Sequence, residues 1–313
     1  MIDFRYHIVS IVAIFFALGA GVVLGAGPLK GTGSDIVASQ ANKDRAALED
    51  ARAQLIAAKA LDKYRDDYVA KVTAGLTTAK LTGKRIVIVT MPGADSDMTN
   101  AINDELTAAG AQVTTRVSLD SKLFDPTQRQ LVEPLVNELV TADMTFPATS
   151  NTYQRAGMIL ARGIVAKEEG KLVDSEATKI LSGLTDSKLL SLKPTPKDRG
   201  SLVVVVAAKP PTPAPDSSTY NDAVDFAEGL DLGSAGVVVA GMPESAQNGM
   251  LKTLRGDSEA AKIVSTVDVA NLPSGQATVV FALVEQVSGK AGQYGGVDAK
   301  NGVAPSAVQA QGS

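Results

Sequence analysis

The side chains that most often carry chemistry are scarce in this sequence. Cysteine is absent and histidine occurs once, as His7. Those two counts close off thiol nucleophiles, disulfides, iron–sulfur clusters, Cys/His zinc sites and His-based triads. Neighbouring carboxylates occur at Asp66 with Asp67 and Glu168 with Glu169. Both pairs fall on predicted exposed helix faces, where solvated charge is the ordinary role. No G-x-S-x-G elbow is present. Copper would call for clustered methionines or several imidazoles. The seven methionines, at positions 1, 91, 98, 144, 158, 242 and 250, do not cluster, apart from Met91 and Met98 around the end of the first predicted strand. On residues alone no catalytic, cofactor-binding or metal-ligating set is assigned, and the expectation is a non-enzyme without a cofactor.

Phosphate cradles are missing too. The turn at 91–96 reads MPGADS and the turn at 241–245 reads GMPES. Neither offers the glycines that let a backbone approach a pyrophosphate, and there is no GxxxxGK[ST] loop. Both look like plain strand-to-helix turns that start a helix at Asp or Ser. A net charge of −4 also argues against a nucleic-acid partner, which would need a concentrated basic surface.

The elements around these turns imply a layered α/β body. Residues 84–90 step from basic residues into a β-branched run, as in a strand covered on both faces. A helix over 97–109 stops at Gly110, and 112–118 forms the next strand of a β–α–β unit. Helices are expected at 127–140, broken or kinked at Pro134, and at 153–169 and 175–184. Strands are expected at 201–208 and 235–241, with a proline-rich loop and a helix over 219–230 between them. A helix at 245–255, an extended stretch at 263–267 and a last strand at 277–284 complete the body. Past residue 288 the chain lacks periodicity and is expected to be a flexible tail.

Two further segments precede this body. Residues 8–28 carry no charge. As a helix they would be about 31 Å long at roughly 1.5 Å per residue, enough to cross a bilayer. Leu24-Gly25-Ala26 offers a signal-peptidase-like cleavage site, but the run is too long for a signal h-region, so an uncleaved anchor is favoured. His7 then reads as an interfacial polar residue. The flanking charges, Arg5 before and Lys30 after, favour a short inner N-terminus and an outer C-terminal body. Ala13, Ala17, Gly21 and Gly25 recur every four residues and form a candidate association face. After a joint at Gly31-Thr32-Gly33, Ser34-Asp35 can cap a long helix, and residues 36–81 are rich in helix formers. Leu48, Ala51, Leu55 and Ala58 form one seam, and Leu61, Tyr64 and Tyr68 continue it after a slip in register. A helix so long needs a mate or a body to lie on.

The expected fold class is therefore α/β: a single N-terminal transmembrane helix, a long coiled-coil stalk and a mostly parallel, Rossmann-like globular domain. Its parts are an anchor at 1–30, a stalk at 31–83, the α/β domain at 84–288 and the tail at 289–313.

The anchor ALGAGVVLGAG, the entry strand GKRIVIVTMPGAD and the late run Ile263-Val264-Ser265-Thr266-Val267-Asp268 with LPSGQATVVFAL resemble the actinobacterial MctB-like family, as does Tyr294-Gly295 near the end. The resemblance implies two roles. One is a copper transport or efflux component of the cell envelope. The other is cell separation, with control of peptidoglycan hydrolysis by an anchored protein whose coiled coil meets a SteA-like membrane partner. A protein of the inner membrane that associates with this partner or with itself suits the residues better, since one helix cannot line a pore.

Overall fold

Central strands buried on both faces need apolar residues at every position, and the valine runs of this chain supply them. In the computed structural model, which describes residues 4–26 and 29–306, two units are separable: residues 1–65 and 66–313.

The first unit contains α1 (Phe4–Ala26) and most of α2 (Leu29–Thr77). Over Tyr6–Gly25 the mean hydropathy is 2.6, and α1 is long and apolar enough to cross a membrane. Helix α2 already includes Gly31-Thr32-Gly33, so the expected joint there is helical instead. Glycine and threonine lower helix propensity without forbidding a helix. The end of the expected anchor, at positions 27 and 28, lies outside the described residues.

In the second unit the remaining elements are β1 (Arg85–Thr90), α3 (Ser96–Ala108), β2 (Gln112–Leu119), α4 (Arg129–Glu138), α5 (Thr152–Ile164), α6 (Ser175–Asp186), β3 (Leu190–Lys193), β4 (Leu202–Val206), α7 (Asn221–Gly233), β5 (Val237–Ala240), α8 (Pro243–Asn248), α9 (Met250–Gly256), α10 (Ala260–Ile263), β6 (Ser265–Val267), α11 (Pro273–Val287) and β7 (Gln293–Tyr294). They build one sheet in the order β3-β2-β1-β4-β5-β6-β7. Every pairing is parallel except β2 with the edge strand β3.

Strand alternation divides the core. Val87, Val89, Val203, Val205, Val237 and Val239 face a layer drawn from α4, α5, α6, α7 and α9. Ile86, Ile88, Leu202, Val204, Val206 and Val238 face α3 and α11. Leu81, just beyond α2, closes the second layer, and its N–H bonds the Ala109 carbonyl at 2.9 Å.

Five expectations change. Residues 277–284 are not a strand: they lie inside α11, whose first residue is Pro273. A short apolar run does not distinguish a buried strand from a buried helix, and burial nearly all round removed the amphipathic signal. The sheet ends instead in the parallel strands β6 and β7. The helix expected over 245–255 divides into α8 and α9 at Gly249. Helix α4 runs through Pro134, and α5 ends at Ile164, leaving Glu168 and Glu169 in the following loop. The stretch after residue 288 is not a loose tail: Tyr294 is 3% exposed, while positions 307–313 lie outside the described residues.

A polar network holds that last segment. Arg255 and Asp268 are buried and meet at 2.8 Å. Asp268 also accepts the backbone N–H groups of Gly296 (2.7 Å) and Val297 (3.0 Å). Arg255 reaches the Thr266 hydroxyl and the Tyr294 carbonyl, each at 2.8 Å, and the Val297 carbonyl. Gly295 has φ +133°, and a Cβ there would strike the Asp268 carboxylate. This is why Tyr294-Gly295 and Asp268 belong to one arrangement.

Helices α5 and α7 cross backbone to backbone. A Cβ on Gly157 would run into the Phe226 carbonyl, and one on Gly229 into the Gln154 carbonyl. Beside the crossing sits Glu228, 8% exposed, accepting from the Gln154 amide at 3.1 Å. Burial, reinforced by Asp257 and Asp225, pushes its carboxyl up to about 7.

Three outcomes follow from this packing. Gly229→Ala should lower stability by about 1–3 kcal/mol, as expected for overfilling a tight contact, whereas Gly256→Ala, with open space around its Cβ position, should leave the melting temperature unchanged. Removing the arginine alone, as in Arg255→Met, should destabilise by about 3–5 kcal/mol because Asp268 is left buried without its cation; denaturant titration reads this. Glu228 favours its protonated form in the folded state, so its contribution to stability falls as pH rises from its ordinary value of 4.5 to about 7 and then levels off. Glu228→Gln should therefore melt higher than the parent at pH 8, with the difference shrinking toward pH 5.

Candidate functional site

Strands β1 and β4 are sheet neighbours whose following connections leave in opposite directions along the sheet, and open α/β sheets take ligands in the crevice at such a reversal. The crevice here is a cavity of about 240 Å³ lined by Met91, Pro92, Phe124, Ala208, Lys209, Tyr220 and Met250, among others.

Each wall has a local cause. The N–H of Met91 bonds the Val206 carbonyl at 2.9 Å, so the residue after β1 is tied to the end of β4. The chain then turns, and Asp95 caps α3 by accepting the Met98 N–H at 2.7 Å. A carboxylate thus occupies the helix start that a phosphate would need. Phe124 is held by its ring neighbours: it stacks with Tyr153 at 6.0 Å and meets Phe226 edge-on at 5.7 Å. Met250 opens α9 and is 3% exposed; Met91 is 7% exposed. Burial raises the Tyr220 hydroxyl above the ordinary phenol value, so it is neutral at pH 7. Lys209, at the edge of the cavity, is paired at 2.5 Å with Glu244 of α8, and that bond holds the Glu244 carboxyl below its usual range.

A second cavity, of about 420 Å³, lies by Arg162, Arg199, Asp143 and Asp174 and also borders Met144 and Met158. Its two arginines and two aspartates pair with one another, and Lys171 at its border pairs with Glu168. Arg162 bonds Asp143 at 2.7 Å and Asp174 at 3.0 and 3.2 Å, and Arg199 bonds Asp174 at 3.1 Å. Among the described residues no group of three or more His, Cys, Asp or Glu gathers to hold a metal ion.

The methionines are therefore sorted by the fold rather than by sequence distance. Met91 and Met98, close in sequence, belong to opposite faces of the sheet. Met91 instead shares its cavity with Met250. The one sign in the sequence was that Met91 directly follows the first strand; nothing local pointed to Met250.

The other expected residues fall as follows. Ala13, Ala17, Gly21 and Gly25 all lie exposed on α1, and nothing stands within 4 Å of a Cβ built on Gly21 or Gly25. His7 is exposed near the start of α1. Along α2, Leu48, Leu55 and Leu61 are 51%, 54% and 48% exposed, and Ala51, Ala58, Tyr64 and Tyr68 are exposed as well. The long helix is present; a coiled coil is not seen in the single chain. Asp67 is exposed and Asp66 half-buried on α2. Glu168 pairs with Lys171 at 2.9 Å, while Glu169 takes the Ser201 hydroxyl and lies 3.9 Å from Lys84.

Comparison with known proteins places this architecture. The family model described as the copper transport outer membrane protein MctB matches residues 1–305. The copper transporter MctB of Mycobacterium tuberculosis (strain H37Rv) is 27% identical over 309 residues, covering 94% of this chain and 96% of that protein. The copper transporter MctB of Mycobacterium bovis gives the same values. That of Mycobacterium leprae is 24% identical over 307 residues, with 94% and 96% covered. With the match running from the apolar helix through α2 to the β7 segment, the chain belongs to the MctB copper transport family.

Proposed function

We propose that this chain is a single-pass, membrane-anchored and non-enzymatic component of copper transport in the cell envelope, with its α/β domain on the extracytoplasmic side. The observation that carries this reading is the family match over residues 1–305, which takes in the apolar helix and the α/β domain together. The relatives are named for copper transport, and this takes precedence over the cell-separation role that the residues alone favoured. Among the described residues one helix is long and apolar enough to cross a membrane, and a single helix cannot enclose a path, so in this reading the chain acts in assembly with further copies or with a membrane partner. The surfaces offered for assembly are the small-residue face of α1 at Ala13, Ala17, Gly21 and Gly25, where backbones can approach closely, and the half-exposed leucines of α2.

The test has two readouts. Deleting the gene in its host should raise cell-associated copper several-fold under copper load, and re-expression should restore it; unchanged copper content would overturn the transport reading. Leu48→Asp with Leu55→Asp should lower the mass of the detergent-solubilised protein by light scattering and abolish complementation, because charge in a helix seam is costly to desolvate. An unchanged mass would remove α2 from the assembly.

A further inference from the structure

We propose that the crevice between the ends of β1 and β4 is a seat for a monovalent copper ion, with the thioether sulfurs of Met91 and Met250 as its ligands. The proposal rests on the copper reading above and says where on this chain the ion would be held.

Donor chemistry is the first argument. Thioethers are soft and uncharged; they select Cu(I) and give little to hard cations such as Mg²⁺ or Ca²⁺. A chain without cysteine and with one exposed histidine keeps methionine as its soft donor, and the fold brings Met91 and Met250 to the walls of one cavity from opposite ends of the domain sequence.

Placement is the second. The cavity lies at the strand-order reversal of the sheet, where this class of fold binds ligands. The backbone of each donor is held: Met91, just past β1, by its bond to Val206, and Met250 by the first turn of α9, whose next N–H reaches the Ser245 hydroxyl at 3.4 Å. Such anchoring favours a defined metal geometry over a collapsing pair of flexible side chains.

Electrostatics is the third. Phe124 and Tyr220 supply aromatic walls that tolerate a desolvated monovalent cation. Lys209 would repel it, but Glu244 neutralises that charge. The Met144 and Met158 cavity is less suited, because Arg162, Arg199 and Lys171 border it and its carboxylates Asp143 and Asp174 are engaged with the arginines. The ion binds as cargo, with no change of oxidation state.

Methionine also fills gaps in apolar cores, and the experiment separates that role from ligation. The full-length protein in detergent, labelled with ¹³C at the methionine methyl groups, is titrated with Ag(I) and, anaerobically, with Cu(I) against a chelator. Signals are assigned with single Met→Leu variants, which keep the core volume. The expected result is that the Met91 and Met250 signals shift together, saturating at one equivalent. Met91→Leu with Met250→Leu should lose this binding while melting as the parent does, and Met144→Leu with Met158→Leu should keep it. Undiminished binding in the Met91/Met250 variant overturns the seat and leaves copper transport standing. Failure of the intact chain to bind either ion overturns the seat as well; the copper content of the deletion strain, measured separately, then decides whether the transport reading falls with it.

Discussion

Val203, Val204, Val205 and Val206 are all fully buried, and so are Ile86–Val89 of β1 and Val237–Ala240 of β5. A parallel sheet of this kind leaves no face for water, so helices must cover both sides, and the side of each valine is set by the alternation of the strand. The rest of the domain follows from that demand. Helices α3 and α11 close one face, and the larger group led by α5 and α7 closes the other. The close fit of α5 on α7, through Gly157 and Gly229, lets two helices share the cover over the middle of the sheet without a gap between them.

The far edge obeys a different rule. Strand β6 is short and polar, with Ser265 and Thr266 buried and Asp268 buried directly after it, and a buried polar group must find partners. It finds them in Arg255, Gln286, Gln293 and the backbone at 294–297. The Arg255–Asp268 pair does not need to add much net stability; each charge satisfies the other, and together they determine where the last segment of the chain must lie. A glycine-rich stretch thus becomes an ordered edge of the sheet.

The same layering creates the crevice. Where connections on either side of β1 and β4 run apart, side chains from both turns and from α9 line the space left over. It has a thioether and aromatic character because the acidic groups nearby are committed elsewhere: Asp95 caps α3, and Glu244 pairs with Lys209. Where many α/β bodies present a glycine-rich phosphate cradle, this chain has turns without one and a crevice lined by Met91, Met250 and aromatic side chains.

Local pattern was enough to determine the apolar helix at 4–26, the long helix that follows and the β–α–β entry of the domain. In each case the signal lies in consecutive residues: an uncharged run, a helix-forming composition, or β-branched residues punctuated by Pro92 and Gly93. Tertiary structure decided the rest, because there the energy comes from residues far apart in the chain. Packing on the sheet goes with a helix at 277–284 instead of a strand, and Arg255 and Asp268, with the β6–β7 pairing and the bonds of Gln293, order the segment around Tyr294. Likewise, only the sheet separates Met91 from Met98 and brings it into one cavity with Met250. Burial and charge satisfaction are properties of the packed assembly, so no window of sequence contains them.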